Sequence, residues 1–556
     1  MILDYKEWPE QAVGAMLPFF EHQAQDATTN GTVIGPCYRQ NELATEACER
    51  MAVTLERGQF IDFELTAPAN SIVVRYNIPD THDSSVYVVP LTVLVNGVTA
   101  ATLSLTNAYT WRYGAYPFTK KPLDGRPQHF FDEVHALLPA MKRGTKVRLV
   151  VETADAVTID VIDFENVAPP LAQPLGSVSV IEHGADPTGR ASAKQAFDAA
   201  IEAARAADAT VWIPPGTYRI DEHLVVDEVT IRGAGMWHTI LSGDSVGVYG
   251  RWARQGGSHN VHLADFQIEG RVWIREDDVQ VNGIGGALSD STIERVWIEH
   301  TKVGAWLDGP FDRLELRDLR IRCQMADGIN FHDGVTNSTV TGCHIRGVGD
   351  DGLAMWSAPN EDVGNTFSYN TIDLVFLANG IAIYGGRDNS VIANLVRDAG
   401  INEGGGIHVG NRFGATAVAG TTTIADNEIV RSGNLDRNWN CPVGALWFDA
   451  RDQPLDGVIV VKRLEIRDSP LTAVAFVSGA RVENVELEDV EIDGAGAYAV
   501  QTQVDGAATF RRVSARRVGR KGIGTRAGTS FEICDGGGNV GWARTLDSGN
   551  GTEWTL

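Results

Sequence analysis

The chain has 556 residues, of which 43% are hydrophobic and 21% charged, so it can form a packed core but is too long for one ordinary domain. Its formal net charge of −25 argues against a nucleic-acid partner and fits a neutral polymer better than a polyanionic one. No apolar run approaches the roughly 18 residues of a membrane-spanning helix, so we expect no membrane partner.

The N-terminal region carries no recognisable targeting signal. MILDYKEWPEQ lacks the basic and apolar regions of a secretory signal peptide. The protein is therefore either cytoplasmic or a chain whose leader is missing from this sequence. Residues 1–26, which include the amphipathic stretch AVGAMLPFFEHQ, are predicted to be a lead-in to the first domain.

Residues 27–172 are predicted to form a β-sandwich. MAVTLERGQFIDFELTAPANSIVVRYNIPD alternates apolar and polar residues, and VVPLTVLVNGVTAATLSLT has an Asn-Gly pair between two alternating runs, which indicates a hairpin. Strands at this spacing are typical of a sandwich of ordinary domain size. The Pro-rich segment APPLAQPLG, residues 168–176, is interpreted as a linker.

An aromatic cluster lies within this first domain. The twelve residues NAYTWRYGAYPF contain Tyr109, Trp111, Tyr113, Tyr116 and Phe118. Two interpretations stay open, because aromatic clusters serve both as platforms on which sugar rings stack and as interfaces between domains.

Three stretches of the first domain are similar to a known module. EACERMAVTLERGQFIDFEL, HFFDEVHALLP and DVIDFENV resemble the β-sandwich carbohydrate-binding modules of families 6 and 35. Such modules often hold calcium through carboxylates. The resemblance therefore implies a structural Ca²⁺ ion in the sandwich, with Asp132 and Asp163 as candidate metal ligands.

The six cysteines contain no CxxC pair, so a cysteine-based zinc site is not expected. Cys37 and Cys48 could form a disulfide in an oxidising compartment or remain buried free thiols. Both interpretations stay open.

Residues 173–556 are predicted to form a solenoid that begins with a capping helix. Ser192 is a suitable N-cap, and one apolar stripe follows it, formed by Ala196, Phe197, Ala200, Ile201 and Ala204. The helix should cover strand edges and core at the open end of the solenoid. With the coils VWIPPGTYRI and VTIRGAGMWHTILSG, the region resembles the N-terminal cap of pectin-lyase-like enzymes.

One short phrase recurs between residues 304 and 410, as GAWLDG, DGINFHDG, DDGLAMW, NGIAIYGG and GGIHVGN. Its glycines are separated by steps of 24, 24, 28 and 26 residues, and they are Gly304, Gly328, Gly352, Gly380 and Gly406. A near-constant step with one short strand per repeat indicates a solenoid. Two or three strands per coil predict a right-handed parallel β-helix, which makes the whole chain all-β.

Three acids share one place in this repeat. Asp327 and Asp351 each precede a phrase glycine, so they should be neighbours on one face at about 4.8 Å, with Asp350 beside them. Three crowded acids cannot all stay ionised cheaply, so at least one pKa should rise. A protonated acid next to a carboxylate suits glycoside hydrolysis. The alternative is ordinary turn chemistry, in which Asp before Gly is common.

Further side chains of the same face are candidates for substrate binding. Trp356 and Tyr384 could stack on sugar rings or belong to the core. Polar side chains that could bond a sugar are His332, Asp388, His408 and Arg412, although a lone His is often a structural residue.

Residues 326–413 carry the most specific resemblance. ADGINFHDGVTNSTVTGCHIRGVGDDGLAMWS, LANGIAIYGGRDN and GGIHVGNRF resemble glycoside hydrolase family 87, the family of α-1,3-glucanases and mycodextranases. The resemblance implies a secreted hydrolase of a neutral α-glucan that needs no cofactor, with Asp327, Asp350 and Asp351 as the catalytic carboxylates. It also implies inversion, with one acid protonating the leaving oxygen and one carboxylate activating a water. Because such a pair is about 6.5–9.5 Å apart, we expect a diagonal pair.

Two alternative functions, a polygalacturonase and a non-catalytic binding protein, predict other sequence features. Polygalacturonases of glycoside hydrolase family 28 share the β-helix and the acids, but typically add Gly-His-Gly and Arg-Ile-Lys motifs, where this chain has HVGNRF. A non-catalytic glycan-binding β-helix would need none of the three acids. Nigeran and α-1,3-glucan stay open as substrates, and an open cleft favours endo action.

Overall fold

The computed structural model describes residues 13–540 except 82–84, 122–123, 154 and 478. Within these ranges one α-helix occurs, Lys194–Ala207, and none is long and apolar enough to cross a membrane. Short 3₁₀ turns lie at Ala24–Asp26, Leu43–Glu46, Cys48–Arg50, Val180–His183 and Ala253–Gln255. All other regular structure in these ranges is β, as predicted.

The first domain is a sandwich of two antiparallel sheets. One sheet contains Asp132–Met141, Ala69–Asn77, Val157–Glu165, Ala52–Leu55 and Thr32–Ile34 in this order, and Phe19–Gln23 also pairs with Val157–Glu165. The other contains Thr28–Thr29, Phe60–Glu64, Lys146–Val151, Val88–Val95 and Val98–Thr106. The last two form the predicted Asn-Gly hairpin. A two-stranded ribbon, Trp111–Arg112 with Gln128–His129, carries part of the aromatic cluster.

The predicted lead-in is partly structural. Phe19–Gln23 falls before the predicted boundary at residue 27, yet it is a strand of the sandwich. Upstream of it, the Gly14 N–H donates to the carbonyl of Ala393 at 2.8 Å, so this segment also contacts the second domain. Residues 1–12 of the lead-in lie outside the described residues.

The second domain is a parallel β-solenoid with two long sheets. The sheet that faces the cleft described below has 12 strands: Leu224–Val225, Val248–Tyr249, Ile284–Gly285, Ala305–Asp308, Ile329–His332, Leu353–Trp356, Ile381–Tyr384, Ile407–Gly410, Gly444–Asp449, Thr472–Val477, Tyr498–Thr502 and Lys521–Thr525. Its neighbours are in register one coil apart, as the glycine repeat predicted. We call the six strands from Ala305–Asp308 to Gly444–Asp449 the cleft strands.

The other long sheet of the solenoid has 23 strands. They are Val178–Ser179, Thr188–Ser192, Thr210–Ile213, Gly216–Arg219, Thr230–Gly233, Thr239–Ser242, His262–Glu269, Ser291–Glu299, Leu314–Arg317, Arg320–Gln324, Thr339–Thr341, His344–Val348, Thr366–Ser368, Thr371–Val375, Ser390–Ile392, Leu395–Arg397, Thr421–Ala425, Glu428–Val430, Val458–Ser469, Val482–Ala495, Gly506–Arg511, Ser514–Val518 and Phe531–Asp535. Small two-stranded ribbons pair Ser258–His259 with Leu288–Ser289, Phe311–Asp312 with Val335–Thr336, and Leu435–Asp436 with Cys441–Pro442.

Strand alternation decides which side chains of the cleft strands face the core. Ile329, Leu353, Ile381 and Ile407 stack in register and are fully buried inside the solenoid. Since successive side chains point to opposite faces, the residues between them point outward. The outward positions include the aligned column of His332, Trp356 and Tyr384.

The capping helix is confirmed on its buried face but not at its start. All five residues of the predicted stripe are buried. The predicted N-cap, Ser192, instead ends the strand Thr188–Ser192, and Ala193 occupies the cap without a side-chain hydrogen bond. The strand continues to Ser192 because it pairs in parallel with Gly216–Arg219, and this pairing delays the helix.

Buried ion pairs join the two domains, and they include both predicted calcium ligands. Arg346 of the solenoid contacts Asp163 at 2.6 Å and Glu133 at 2.7 Å, while Nε2 of His300 lies 2.8 Å from Asp132. At Asp163 a cation would meet the positive guanidinium of Arg346, which argues against a calcium ion at that residue. Calcium binding by Asp132 and Asp163 stays a prediction.

The cysteines of the described chain are all free, including Cys37 and Cys48. Cys48 is buried, and burial raises the pKa of its thiol well above the usual value. Between the two open interpretations, the structure favours free thiols.

Candidate active site

A cleft of about 720 Å³ lies on the outer face of the cleft strands. The sandwich contributes Tyr116, Pro117 and Phe118 to its wall, and the solenoid contributes the loop around Arg275 together with later loops. Asp327, Asp350 and Asp351 line it together. The repeat thus brings the three predicted acids to one place.

The acids lie at a corner where the coils stack through the backbone. The Gly328 N–H donates to the carbonyl of Asp351 at 2.9 Å, and the Gly352 N–H donates to that of Asn379 at 2.8 Å. Asp327, Asp351 and Asn379 therefore occupy equivalent positions in successive coils. Asp350 is the additional residue before this ladder, and the predicted register is confirmed.

The spacing of the acids differs from the prediction of a diagonal pair. One carboxylate oxygen from each of Asp327, Asp350 and Asp351 lies within 4.8 Å of the others. These oxygens are closer than the gap of about 6.5–9.5 Å expected between an inverting acid and base. The three acids thus form one cluster, and which two of them act as the acid–base pair stays a prediction.

Asp351 is buried and held on both oxygens. Oδ1 accepts hydrogen bonds from the backbone N–H and the side-chain amide of Asn379, both at 2.9 Å, and Oδ2 accepts one from the Tyr384 hydroxyl at 2.9 Å. Burial, with the charge of Asp350 adding to it, raises the pKa of Asp351 to about 7. The hydrogen bonds from Asn379 and Tyr384 oppose this rise.

Asp327 is also buried, and its charge interacts with that of Arg275. Burial, followed by the charges of Asp350 and Asp351, raises the pKa of Asp327 well above its usual range, while Arg275 opposes the rise. The pKa values of Asp327 and Asp351 are therefore both raised, as crowding of the acids predicted.

Asp350 is the most exposed acid of the three, with 22% of its side chain accessible. Its Oδ2 lies 2.7 Å from Nη2 of Arg275, and Nε of Arg275 also donates to Asp277 at 2.8 Å. Sequence reasoning missed Arg275, which lies about three repeat steps upstream of Asp350 in a loop without regular structure. No spacing signal connects such a loop to the phrase repeat.

The spacing of the three acids would allow a metal ion, but protein groups already occupy the oxygens of Asp350 and Asp351. Both oxygens of Asp350 accept hydrogen bonds or ion pairs, from the Asp351 N–H at 3.1 Å and from Arg275. Both oxygens of Asp351 are likewise engaged. With a guanidinium already present, this arrangement favours proton transfer over cation binding.

The column of outward side chains places aromatic groups beside the acids. The Trp356 ring lies 4.5 Å from that of His332, whose Nδ1 is 2.6 Å from Asp308. Trp306 lies one coil before His332 and two coils before Trp356, which it approaches edge-on at 6.2 Å. Trp356, which could have been a core residue, lines the cleft together with His332.

Tyr384, His408 and Arg412 line the cleft as predicted, but each also supports another residue. Tyr384 is almost fully buried, and its hydroxyl donates a hydrogen bond to Asp351. His408 and Arg412 both approach Asp449, each at 3.5 Å. Burial lowers the pKa of His408, so its ring is neutral at neutral pH.

Asp388 does not belong to the cleft. Its exposed carboxylate accepts the Thr421 N–H at 2.8 Å, and it does not line the cavity. The strand of Tyr384 ends at that residue, and Gly385 and Gly386 turn the chain to another side of the coil. The prediction of a substrate contact is wrong because this corner lies between Tyr384 and Asp388.

A second group of polar and aromatic residues at the cleft was missed. It consists of Glu403, Asp436, Trp439, Trp447 and Arg451. Burial and the charge of Asp436 raise the pKa of Glu403 to about 8, and burial raises that of Asp436 to about 6. The available signal was position, because Glu403 lies just before the phrase GGIHVGN.

Some residues of the sandwich's aromatic cluster lie at the domain interface, and others line the cleft. Tyr109 stacks on His300 at 3.6 Å, and the Tyr113 hydroxyl donates to the carbonyl of Met325 at 2.9 Å, so these residues form the domain interface. Tyr116 and Phe118 line the cleft, and Tyr116 approaches Trp439 edge-on at 5.6 Å.

Comparison with known families and structures gives consistent matches. The profile of the alpha-1,3-glucanase catalytic domain D1 matches residues 16–167, and that of domain D2 matches residues 189–513. The catalytic unit of a thermostable GH87 alpha-1,3-glucanase from Streptomyces thermodiastaticus strain HF3-3 is 39% identical, with a TM-score of 0.88, covering 95% of this chain and 97% of that chain. No curated protein sequence matches this chain.

Two further structures match at similar coverage. The Agl-KA catalytic domain is 27% identical, with a TM-score of 0.86 over 94% of this chain and 98% of that chain. A GH87 alpha-1,3-glucanase catalytic domain in complex with nigerose shares the fold at 23% identity, with a TM-score of 0.83 over 95% of this chain and 99% of that chain.

Proposed function

As a member of the alpha-1,3-glucanase catalytic-domain family, glycoside hydrolase family 87, this chain hydrolyses α-1,3-glucan, and we propose that Asp327, Asp350 and Asp351 cleave the glucosidic bond with inversion. The observation that carries this proposal is the cluster of three acids at the floor of the cleft, within 4.8 Å of one another. The polygalacturonase and binding-protein alternatives are set aside by the family match.

The cluster can supply both the acid and the base. Its carboxyl groups are so close that they titrate together, and the proton belongs to the group as a whole. Burial of Asp327 and Asp351 favours retention of a proton, while the ion pair with Arg275 favours negative charge on the cluster. One member then protonates the leaving oxygen, and the others accept a proton from water.

The compact spacing is compatible with a water as nucleophile. An O–H···O hydrogen bond spans about 2.7–2.8 Å, so one water can donate to two oxygens that lie within 4.8 Å of each other. Two carboxylates would orient this water toward the anomeric carbon while the third protonates the glucosidic oxygen. In the competing mechanism, one of these close carboxylates attacks directly and the configuration is retained.

We propose a neutral α-glucan chain as the substrate, bound in an endo mode. Six cleft strands at about 4.8 Å spacing give the site a length of about 24 Å along the solenoid. Trp306 lies one coil before Asp327, and Trp447 lies three coils after Asp351. Aromatic rings on both sides of the acids favour a chain that extends in both directions.

The remaining proposals concern the location of the protein, cofactors and the role of the sandwich. A polymeric substrate and the family resemblance support action outside the cell. No cofactor is proposed for catalysis, because side chains provide the acid and the base. A calcium ion in the sandwich, and sugar binding by the sandwich as an independent module, stay predictions from its resemblance to carbohydrate-binding modules.

The experiment combines product analysis with a substrate panel. Reducing-sugar release is measured on α-1,3-glucan, nigeran, dextran and polygalacturonate, and the first products are followed by NMR. We expect β-configured products from the α-1,3 bonds, with early oligosaccharides of mixed length. First products in the α-configuration would refute inversion, and release of only one product size from the start would refute endo action.

A further inference from the structure

The sandwich segment Tyr113–Lys120 reaches across the domain boundary to the acid cluster. The Tyr113 hydroxyl donates to the carbonyl of Met325, two residues before Asp327. A Cβ added at Gly349, directly before Asp350, would lie 2.0 Å from the same hydroxyl oxygen. The first glycine of the GDDG motif is thus required by close approach of the sandwich to this corner.

The same segment packs on the loop that carries Arg275. The guanidinium carbon of Arg275 lies 4.6 Å from the centre of the Phe118 ring, a cation–π arrangement. Nζ of Lys120 lies 2.6 Å from Asp278 and 3.4 Å from Glu276, the neighbours of Arg275 in this loop. Because residues 271–280 form no helix or strand, such external contacts determine where Arg275 lies.

The solenoid holds the backbone of this loop from the other side. The buried Lys302 donates to the carbonyls of Glu276, Asp277 and Val279, at 3.4, 3.0 and 2.5 Å. Lys302 therefore fixes the main chain, and Phe118 covers the side chain of Arg275. Phe118 itself has a φ of 58°, which is rare for a bulky residue and persists only where the surroundings enforce it.

We propose that Phe118 is a positioning residue for hydrolysis, which holds Arg275 against Asp350, so that the sandwich domain completes the catalytic site. The inference rests on the proposed role of the acid cluster. Arg275 faces Asp277 on its own loop and Asp350 and Asp327 on the solenoid. Without the Phe118 ring, its guanidinium can leave Asp350, and the cluster loses its compensating positive charge.

The test is a double-mutant cycle between Phe118→Leu and Arg275→Met on α-1,3-glucan. Phe118→Leu should lower kcat about 10- to 100-fold, since small misplacements at a reacting centre have effects of this size, while KM changes less. The pH profile should move to higher pH, because the Arg275 charge holds down the pKa of Asp327. In the Arg275→Met background, Phe118→Leu should change kcat less than about twofold.

A matched control uses a second phenylalanine of the sandwich. The Phe60 ring lies 3.7 Å from the guanidinium carbon of Arg148 and does not line the cleft, so Phe60→Leu removes the same kind of contact. This variant should keep the parent kcat and pH profile. Circular dichroism and thermal unfolding confirm that each variant is folded.

Several outcomes would overturn the inference. A folded Phe118→Leu variant with the parent kcat and pH profile would do so, and so would single effects that simply multiply in the double variant. If Phe118→Leu does not fold, Lys120→Met replaces it, because the half-exposed Lys120 pairs with Glu276 and Asp278 of the loop that carries Arg275. An unchanged pH profile of this variant then counts against the inference. A parent enzyme without turnover would instead refute the proposed function, and the positioning role with it.

Discussion

Replacing Asp351 by Asn should abolish hydrolysis and stabilise the folded protein at neutral pH. The fold should tolerate the change, because the Asn oxygen can still accept the two hydrogen bonds from Asn379 and the Tyr384 hydroxyl can turn to accept one. Loss of one acid–base group should lower kcat by about 10²–10⁴-fold.

The expected gain in stability follows from the pKa of Asp351, which burial raises from 3.8 to about 7. The native state therefore holds this proton more tightly than the unfolded chain, and the parent's free energy of unfolding decreases as pH rises from about 4 to about 7. A shift of roughly three units corresponds to about 4 kcal/mol at 1.36 kcal/mol per unit. Asparagine does not titrate, so the variant escapes this loss.

The assay compares thermal unfolding midpoints of parent and variant from pH 4 to pH 8, together with reducing-sugar release. The difference in midpoint should be smallest near pH 4 and largest above pH 7. Asp388→Asn is the matched control, because Asp388 is exposed and lies outside the cleft, and it should change neither activity nor pH dependence. Turnover equal to the parent, or a stability difference that does not grow with pH, would refute the reasoning.

Three other predictions concern the surroundings of the cluster. Tyr384→Phe removes a hydrogen bond to Asp351, worth about 1.5–3 kcal/mol, so the acidic limb of kcat/KM should move up by about one to two pH units. Tyr218→Phe, which loses a bond to a backbone carbonyl at 3.1 Å, should leave that limb in place, and equal profiles for both variants would contradict this role. Glu403 has a pKa of about 8, so Glu403→Gln copies the neutral form that the parent has at pH 6 and loses by pH 9. The KM of the variant should match that of the parent at pH 6 and be lower than it at pH 9. A parallel rise of KM in both proteins would argue against this role. Treatment with EDTA should leave hydrolysis unchanged, since side chains supply acid and base, and a loss that Ca²⁺ restores would show a structural metal.

The two domains contribute to one functional unit. The family profiles divide the chain near the linker, yet the cleft wall includes Tyr116 and Phe118 of the sandwich. Buried ion pairs such as Arg346 with Asp163 and Glu133 fasten the domains together. Truncating one partner of such a pair leaves an uncompensated buried charge, so variants of Arg346 should affect folding before they affect catalysis.

Local pattern was sufficient for the repeat and for the acids. The spacing of the phrase glycines predicted the parallel register, and the register placed Asp327 and Asp351 in adjacent coils. Such a prediction works because a coil positions its residues by their count from the corner. It failed at Asp388, where an intervening corner moves the side chain to another face.

The sequence by itself determined the all-β solenoid, its capping helix and the identity of the three acids, because each depends on periodicity or on a short motif. Only the tertiary structure decided which side chains surround those acids. Arg275 comes from an irregular loop and Phe118 from another domain, and no spacing in the chain relates them to the acids. The repeat places Tyr384 on the same face, but only the folded structure shows its hydrogen bond to Asp351. Burial and the charges of neighbours set the pKa values, and both arise only when distant segments pack around the cleft.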